Sequence, residues 1–92
     1  MRLPKYKQPM LEKYNNTDFS DLTAKEKEVF DKIFFSSLKS SYCVATLAGK
    51  DEEYYKNNMN IVKLLANKGL IKKVGSLISV SIIHEILKQR QA

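Results

Sequence analysis

Cysteine, histidine and tryptophan are nearly absent from this chain. Cys43 and His84 stand alone, and there is no Trp. A lone cysteine excludes an internal disulfide, and one Cys with one His falls short of the four ligands a structural zinc takes. Cys43 is expected to be a small core residue. Proline is confined to Pro4 and Pro9, and glycine to Gly49, Gly69 and Gly75. No apolar run approaches the ~20 residues of a membrane span. The opening Met-Arg-Leu-Pro-Lys-Tyr-Lys lacks the apolar centre of a signal peptide. A cytoplasmic protein is therefore expected. Gly-rich phosphate loops, catalytically spaced carboxylate pairs and nucleophile motifs are missing too. Neither an enzyme, a metal, a cofactor nor a small-molecule ligand is expected.

Acidic residues are scarce in one region only. The net charge is +6, and residues 56–92 hold seven basic groups against one acidic. Residues 21–55 hold five against seven, and residues 1–20 four against two. A field so one-sided points to a polyanion, either nucleic acid or an anionic membrane. Ninety-two residues make one small domain. A chain of this size buries only about 60–65% of its unfolded surface, so a homodimer would add needed core.

Periodicity gives the elements. Residues 1–19 read as a basic arm, extended or partly ordered on the body. Thr23 followed by Glu26 is a capping box, and Phe30, Phe34 and Leu38 recur behind it at helical spacing. Ser-rich residues 36–41 end that helix. Residues 41–48 read as a short second helix stopped by Gly49. A third helix is expected from Asp51 to Gly69, roughly 26 Å long at ~1.5 Å per residue. Its buried stripe is Tyr55, Met59, Val62, Leu65 and Ala66, widened by Ile61 and Leu64. Gly75-Ser76 between β-rich runs signals a type II′ hairpin. Its register pairs Val74 with Leu77, Lys73 with Ile78, Lys72 with Ser79 and Ile71 with Val80. A last helix is expected over 82–90, although Ser76 can also cap a helix running through 77–83.

Leu-Leu-Ala-Asn-Lys-Gly-Leu-Ile-Lys-Lys-Val at 64–74 resembles the junction of recognition helix and wing in the winged helix-turn-helix superfamily. That resemblance covers about residues 22–83. It implies an α+β, mostly α fold: a three-helix helix-turn-helix core, a two-stranded β-hairpin wing and a C-terminal helix. It also implies a homodimer on double-stranded DNA, with recognition helices in successive major grooves. The dimer seam is expected on the C-terminal helix within domain 20–92, at Ile83, Ile86 and Leu87. Small size and basic bias are also similar to plasmid-borne relaxosome accessory proteins and centromere-binding adaptors, alongside transcription regulators.

Candidate DNA contacts follow. Asn57, Asn60 and Lys63 share a polar sector of the third helix, flanked by Lys56 and Asn67, where Asn can pair with adenine and Lys with guanine or phosphate. Lys72, Lys73 and Ser76 belong to the hairpin, and Arg2, Lys5 and Lys7 to the arm. Asp51, Glu52 and Glu53 at the start of the third helix oppose phosphate approach, which shifts the expected burden towards the hairpin. The competing expectation is a protein–protein interaction module with no DNA binding, its lysines serving solubility.

Overall fold

The computed structural model describes residues 3–91, with side chains described through Gln89. The expected arm is more structured than an extended tail. A 3-10 turn at Lys5–Lys7 leads into α1, Gln8–Asn15, with Pro9 in the first turn where its missing N–H costs nothing. Met10 is fully buried and Tyr14 stacks on Phe34 at 4.6 Å between ring centroids. Tyr14 also donates its hydroxyl to Asp31 at 2.5 Å, while Lys27 donates to Tyr14 at 2.6 Å.

Helix α2, Ala24–Lys39, carries the capping box as the spacing predicts. Thr23 Oγ1 accepts from Glu26 N–H, and the Glu26 carboxylate accepts from Thr23 N–H. Its face of Val29, Phe30, Ile33, Phe34 and Leu38 is the centre of the core.

Residues 41–48 do not form the expected helix. A turn over Ser40–Cys43, with Cys43 at φ 58°, leads instead into strand β1, Ala45–Thr46. This run is short and apolar enough for either state, and pairing with a distant strand decides it. Cys43 is buried, as expected.

The expected third helix is two helices: α3, Glu52–Asn57, and α4, Met59–Asn67. Asn58 breaks the run. Its side chain donates to the Tyr54 carbonyl at 2.8 Å, and its backbone N–H turns to Tyr55 instead. That is a local side-chain bond competing with the helical ladder. Helix α4 then ends at Gly69, φ 80°, where Gly69 N–H bonds Ala66 O and Leu70 N–H reaches back to Leu65 O. Those two bonds form a Schellman cap.

Strands β2, Ile71–Val74, and β3, Leu77–Val80, pair in the register read from sequence. Gly75 at φ 61° supplies the positive angle that the first residue of a II′ turn needs. The hairpin is not an isolated pair, however. Ala45 and Thr46 of β1 pair with Ile78 and Leu77, giving a three-stranded antiparallel sheet in the order β1-β3-β2.

Helix α5, Ser81–Gln91, begins directly after β3, which resolves 77–83 into strand then helix. Ser81 fixes the junction by donating its N–H to Leu70 O and its hydroxyl to Gly69 O. Ile83 is buried, Ile86 and Leu87 pack on the core, and α1 lies against α5. The apolar edge reserved for a dimer seam is thus largely covered within one chain.

Candidate nucleic-acid interface

The break at Asn58 rearranges the candidate residues. Lys56 and Asn57 are exposed on the last turn of α3, while Asn60 and Lys63 are exposed on α4. They therefore do not share the single helical sector that a continuous helix would give. Within α4 the exposed positions are Asn60, Lys63, Leu64 and Asn67, the i, i+3, i+4, i+7 pattern of one face. Val62 and Leu65 point the other way into the core. Leu64, expected in the buried stripe, is instead exposed at 36%. Asn67, expected to flank the polar sector, and Leu64, expected in the buried stripe, thus both belong to this exposed face. The four positions fall in one stripe by spacing alone, and Leu64 lies outward because Val62 and Leu65 fill the core side.

The acidic triplet changes meaning as well. Asp51, Glu52 and Glu53 stand at the start of α3, and the first turn of α4 contains no acid. Asp51 is held by Lys32 at 3.3 Å. In the sequence, no Asp or Glu stands between Glu53 and Glu85. A helix whose outward face carries two carboxamides and one ammonium is free to meet a polyanion.

Ion pairing sharpens the asymmetry. Every ion pair among the described residues has a partner on α2: Lys25–Glu28, Lys27–Asp31, Lys32–Asp51 and Lys68–Glu26. Lys56, Lys63, Lys72 and Lys73 take part in none of them. Acids thus pair with Lys25, Lys27 and Lys32 of α2, while the lysines within α3, α4 and the hairpin stand outside these pairs. Beside α2, Tyr54 belongs to the neutralised side. Burial first, then the hydrogen bond it donates to Glu28 at 3.0 Å, pushes its hydroxyl up to about 12. Lys25 and Tyr54 in turn hold the Glu28 carboxyl below the usual value.

In the hairpin, the two lysines lie on opposite faces, as the strand alternation predicts. Lys73 shares the face of Ile71, Ile78 and Val80, the face that turns to the core, yet is itself exposed near the tip. Lys72 lies on the outer face and lines a small cleft with Ser79, Ser81, His84 and Glu85. The hairpin therefore divides its cations and places Lys72 near a carboxylate-bearing helix. Ser76 is exposed at the tip, and its carbonyl accepts from Leu47 N–H at 2.7 Å, so β1 braces the turn. Val74 and Leu77, 63% and 49% exposed, flank that turn on the outer face. The tip is thus bulkier and less free-standing than a bare Gly-Ser ribbon.

The arm contributes least. Lys7 is only 5% exposed, and its ammonium donates to Leu38 O at 2.7 Å and Ser40 O at 2.9 Å. It caps the C-terminus of α2, where a cation is favoured, and is not a surface charge. That corrects its place among the DNA contacts. Lys5 is exposed on the adjoining turn, and Arg2 lies outside the described residues.

No metal-holding cluster of His, Cys, Asp and Glu occurs among the described residues, and none of their helices is long and apolar enough to cross a membrane. Comparison with protein-family models, curated proteins and solved structures gives no match.

Proposed function

We propose that this chain is a sequence-specific, double-stranded-DNA-binding protein of winged helix-turn-helix type. In this reading α3 and α4 form the helix-turn-helix, α4 is the recognition helix, and the β2–β3 hairpin is the wing. The observation that carries it is the outward face of α4. Asn60, Lys63 and Asn67 form an acid-free polar stripe beside cations that no ion pair offsets. The helix is nine residues, about 13.5 Å at ~1.5 Å per residue, short enough to lie within one major groove.

Each residue has a role. Asn60 and Asn67 offer bidentate amide pairing to adenine, and Lys63 reaches guanine or a phosphate. Lys56 and Asn57 on α3, with Lys73 and Ser76 on the hairpin, hold the backbone, which fixes register and supplies most of the affinity. Lys72 acts from the outer sheet face. Two copies meet on repeated half-sites in the DNA, since α1 already covers much of α5's apolar edge.

The test is a gel shift of the whole protein on a randomised duplex pool across salt concentrations. With ~6 phosphates contacted per pair of copies, the log–log salt slope is expected near −5. No retention at low salt, or a salt-independent constant, overturns the reading. A selected site in the promoter of its own gene identifies a regulator. Repeats at a transfer origin or a centromere identify a plasmid transfer or partition factor.

A further inference from the structure

Leu64 sits in the middle of the polar stripe of α4, four residues after Asn60 and three before Asn67, with Lys63 adjacent. Its neighbours Val62 and Leu65 complete the buried face, so the fold does not draw Leu64 inward. A single exposed leucine is ordinary on a protein surface. This one occupies the centre of the face that the proposed function places in the major groove. The C5-methyl group of thymine is the apolar feature that base edges present there.

We propose that Leu64 is a specificity-determining residue that packs on thymine C5-methyl groups, making the recognised sequence a short A·T-rich core. This inference rests on the DNA-binding reading above. Geometry sets its span. Asn60 and Asn67 are about 10.5 Å apart along the helix axis at ~1.5 Å per residue. That separation matches about three base steps at ~3.4 Å each. Two adenine-reading carboxamides therefore bracket one apolar contact. Thymine is the base whose major-groove edge offers a methyl for Leu64 to meet between them. A cytosine there would instead present an N4 amino donor that leucine cannot accept.

The experiment uses the full chain and duplexes selected from the randomised pool. Each thymine in the core is replaced by deoxyuracil, which keeps every hydrogen-bonding group and removes only the methyl. The unmodified protein is expected to lose about four-fold in affinity per contacted thymine, the value of one buried methyl-sized group. Leu64→Ala is expected to bind the thymine duplex several-fold more weakly, to about the affinity the unmodified protein shows for deoxyuracil. It should no longer distinguish thymine from deoxyuracil. Leu64 is an exposed helix position and alanine is a strong helix former, so the variant's circular dichroism should match that of the unmodified protein. Equal binding to thymine and deoxyuracil duplexes by the unmodified protein overturns the inference and leaves DNA binding standing. Undiminished discrimination by Leu64→Ala does the same. Failure to retain any duplex overturns both.

Discussion

The ammonium of Lys7 lies 2.7 Å from the carbonyl oxygen of Leu38, thirty-one residues away in sequence. A lysine that composition alone places in a basic arm is in fact a structural cap on the main core helix. Replacing it with methionine takes the ammonium from the Leu38 carbonyl and leaves the Ser40 carbonyl only its bond from Cys43 N–H. Lys7→Met is expected to lower stability by about 2 kcal/mol, the usual scale for losing charge-assisted hydrogen bonds. Urea unfolding measures this. Affinity for DNA and its salt slope should be unchanged at temperatures where the variant is folded.

Asn58 is the second position where one side chain sets the architecture. Its amide satisfies the Tyr54 carbonyl that a continuing helix would take with a backbone N–H. Asn58→Ala removes that competitor and favours fusion of α3 with α4. Helical circular dichroism should stay level or rise. DNA affinity should fall at least about ten-fold, because the orientation of α4 changes; a tenfold change is only about 1.4 kcal/mol. Unchanged affinity would show that the break does not position the interface.

The hairpin lysines should separate in a salt titration. Lys73 is exposed on the sheet face of Ile71, Ile78 and Val80, whereas Lys72 shares its cleft with Glu85. Lys73→Ala is expected to reduce the log–log salt slope by about one unit, the signature of one lost phosphate contact. A smaller reduction is expected for Lys72→Ala. Lys25→Ala, which removes a lysine already paired with Glu28, should leave the slope unchanged.

Stability should also depend on Tyr54 at alkaline pH. Its hydroxyl is raised from 10.0 to about 12 in the folded chain by burial and by the Glu28 hydrogen bond. A raised folded value means that its contribution is fully present below pH 10 and is lost as pH rises through about 12. Thermal melts of the unmodified protein and Tyr54→Phe across that window measure the effect. The unmodified protein should lose melting temperature relative to the variant as pH climbs from 10 to 12. A constant difference would contradict the assigned environment.

What was legible in the sequence was local. The Thr23–Glu26 box, the Gly75-Ser76 turn and the hairpin register depend on residues a few positions apart, and all three stand as read. Gly69 marks the end of α4 because its cap bonds span only Leu65 to Leu70. Residues 41–48 depart from the expected helix because β1 exists through pairing with Ile78 and Leu77, more than thirty positions away. Lys7 departs from its expected surface role for the same reason, its acceptors being equally distant. The Asn58 break is the exception: its side-chain bond is local, and the Asn57-Asn58 pair marked a weak point in the helix. The break confines the acidic triplet to α3, away from the start of α4.

The most direct test of the central claim compares two duplexes, the selected site and a scrambled one of equal composition, at a single physiological salt concentration. The unmodified protein should bind the selected site at least about 10³-fold more tightly. In the Asn60→Ala, Asn67→Ala double variant that ratio should collapse towards one, with affinity for the scrambled duplex retained. Equal binding of both duplexes by the unmodified protein, or a ratio that survives the double substitution, would contradict the assignment of α4 as the element that reads DNA.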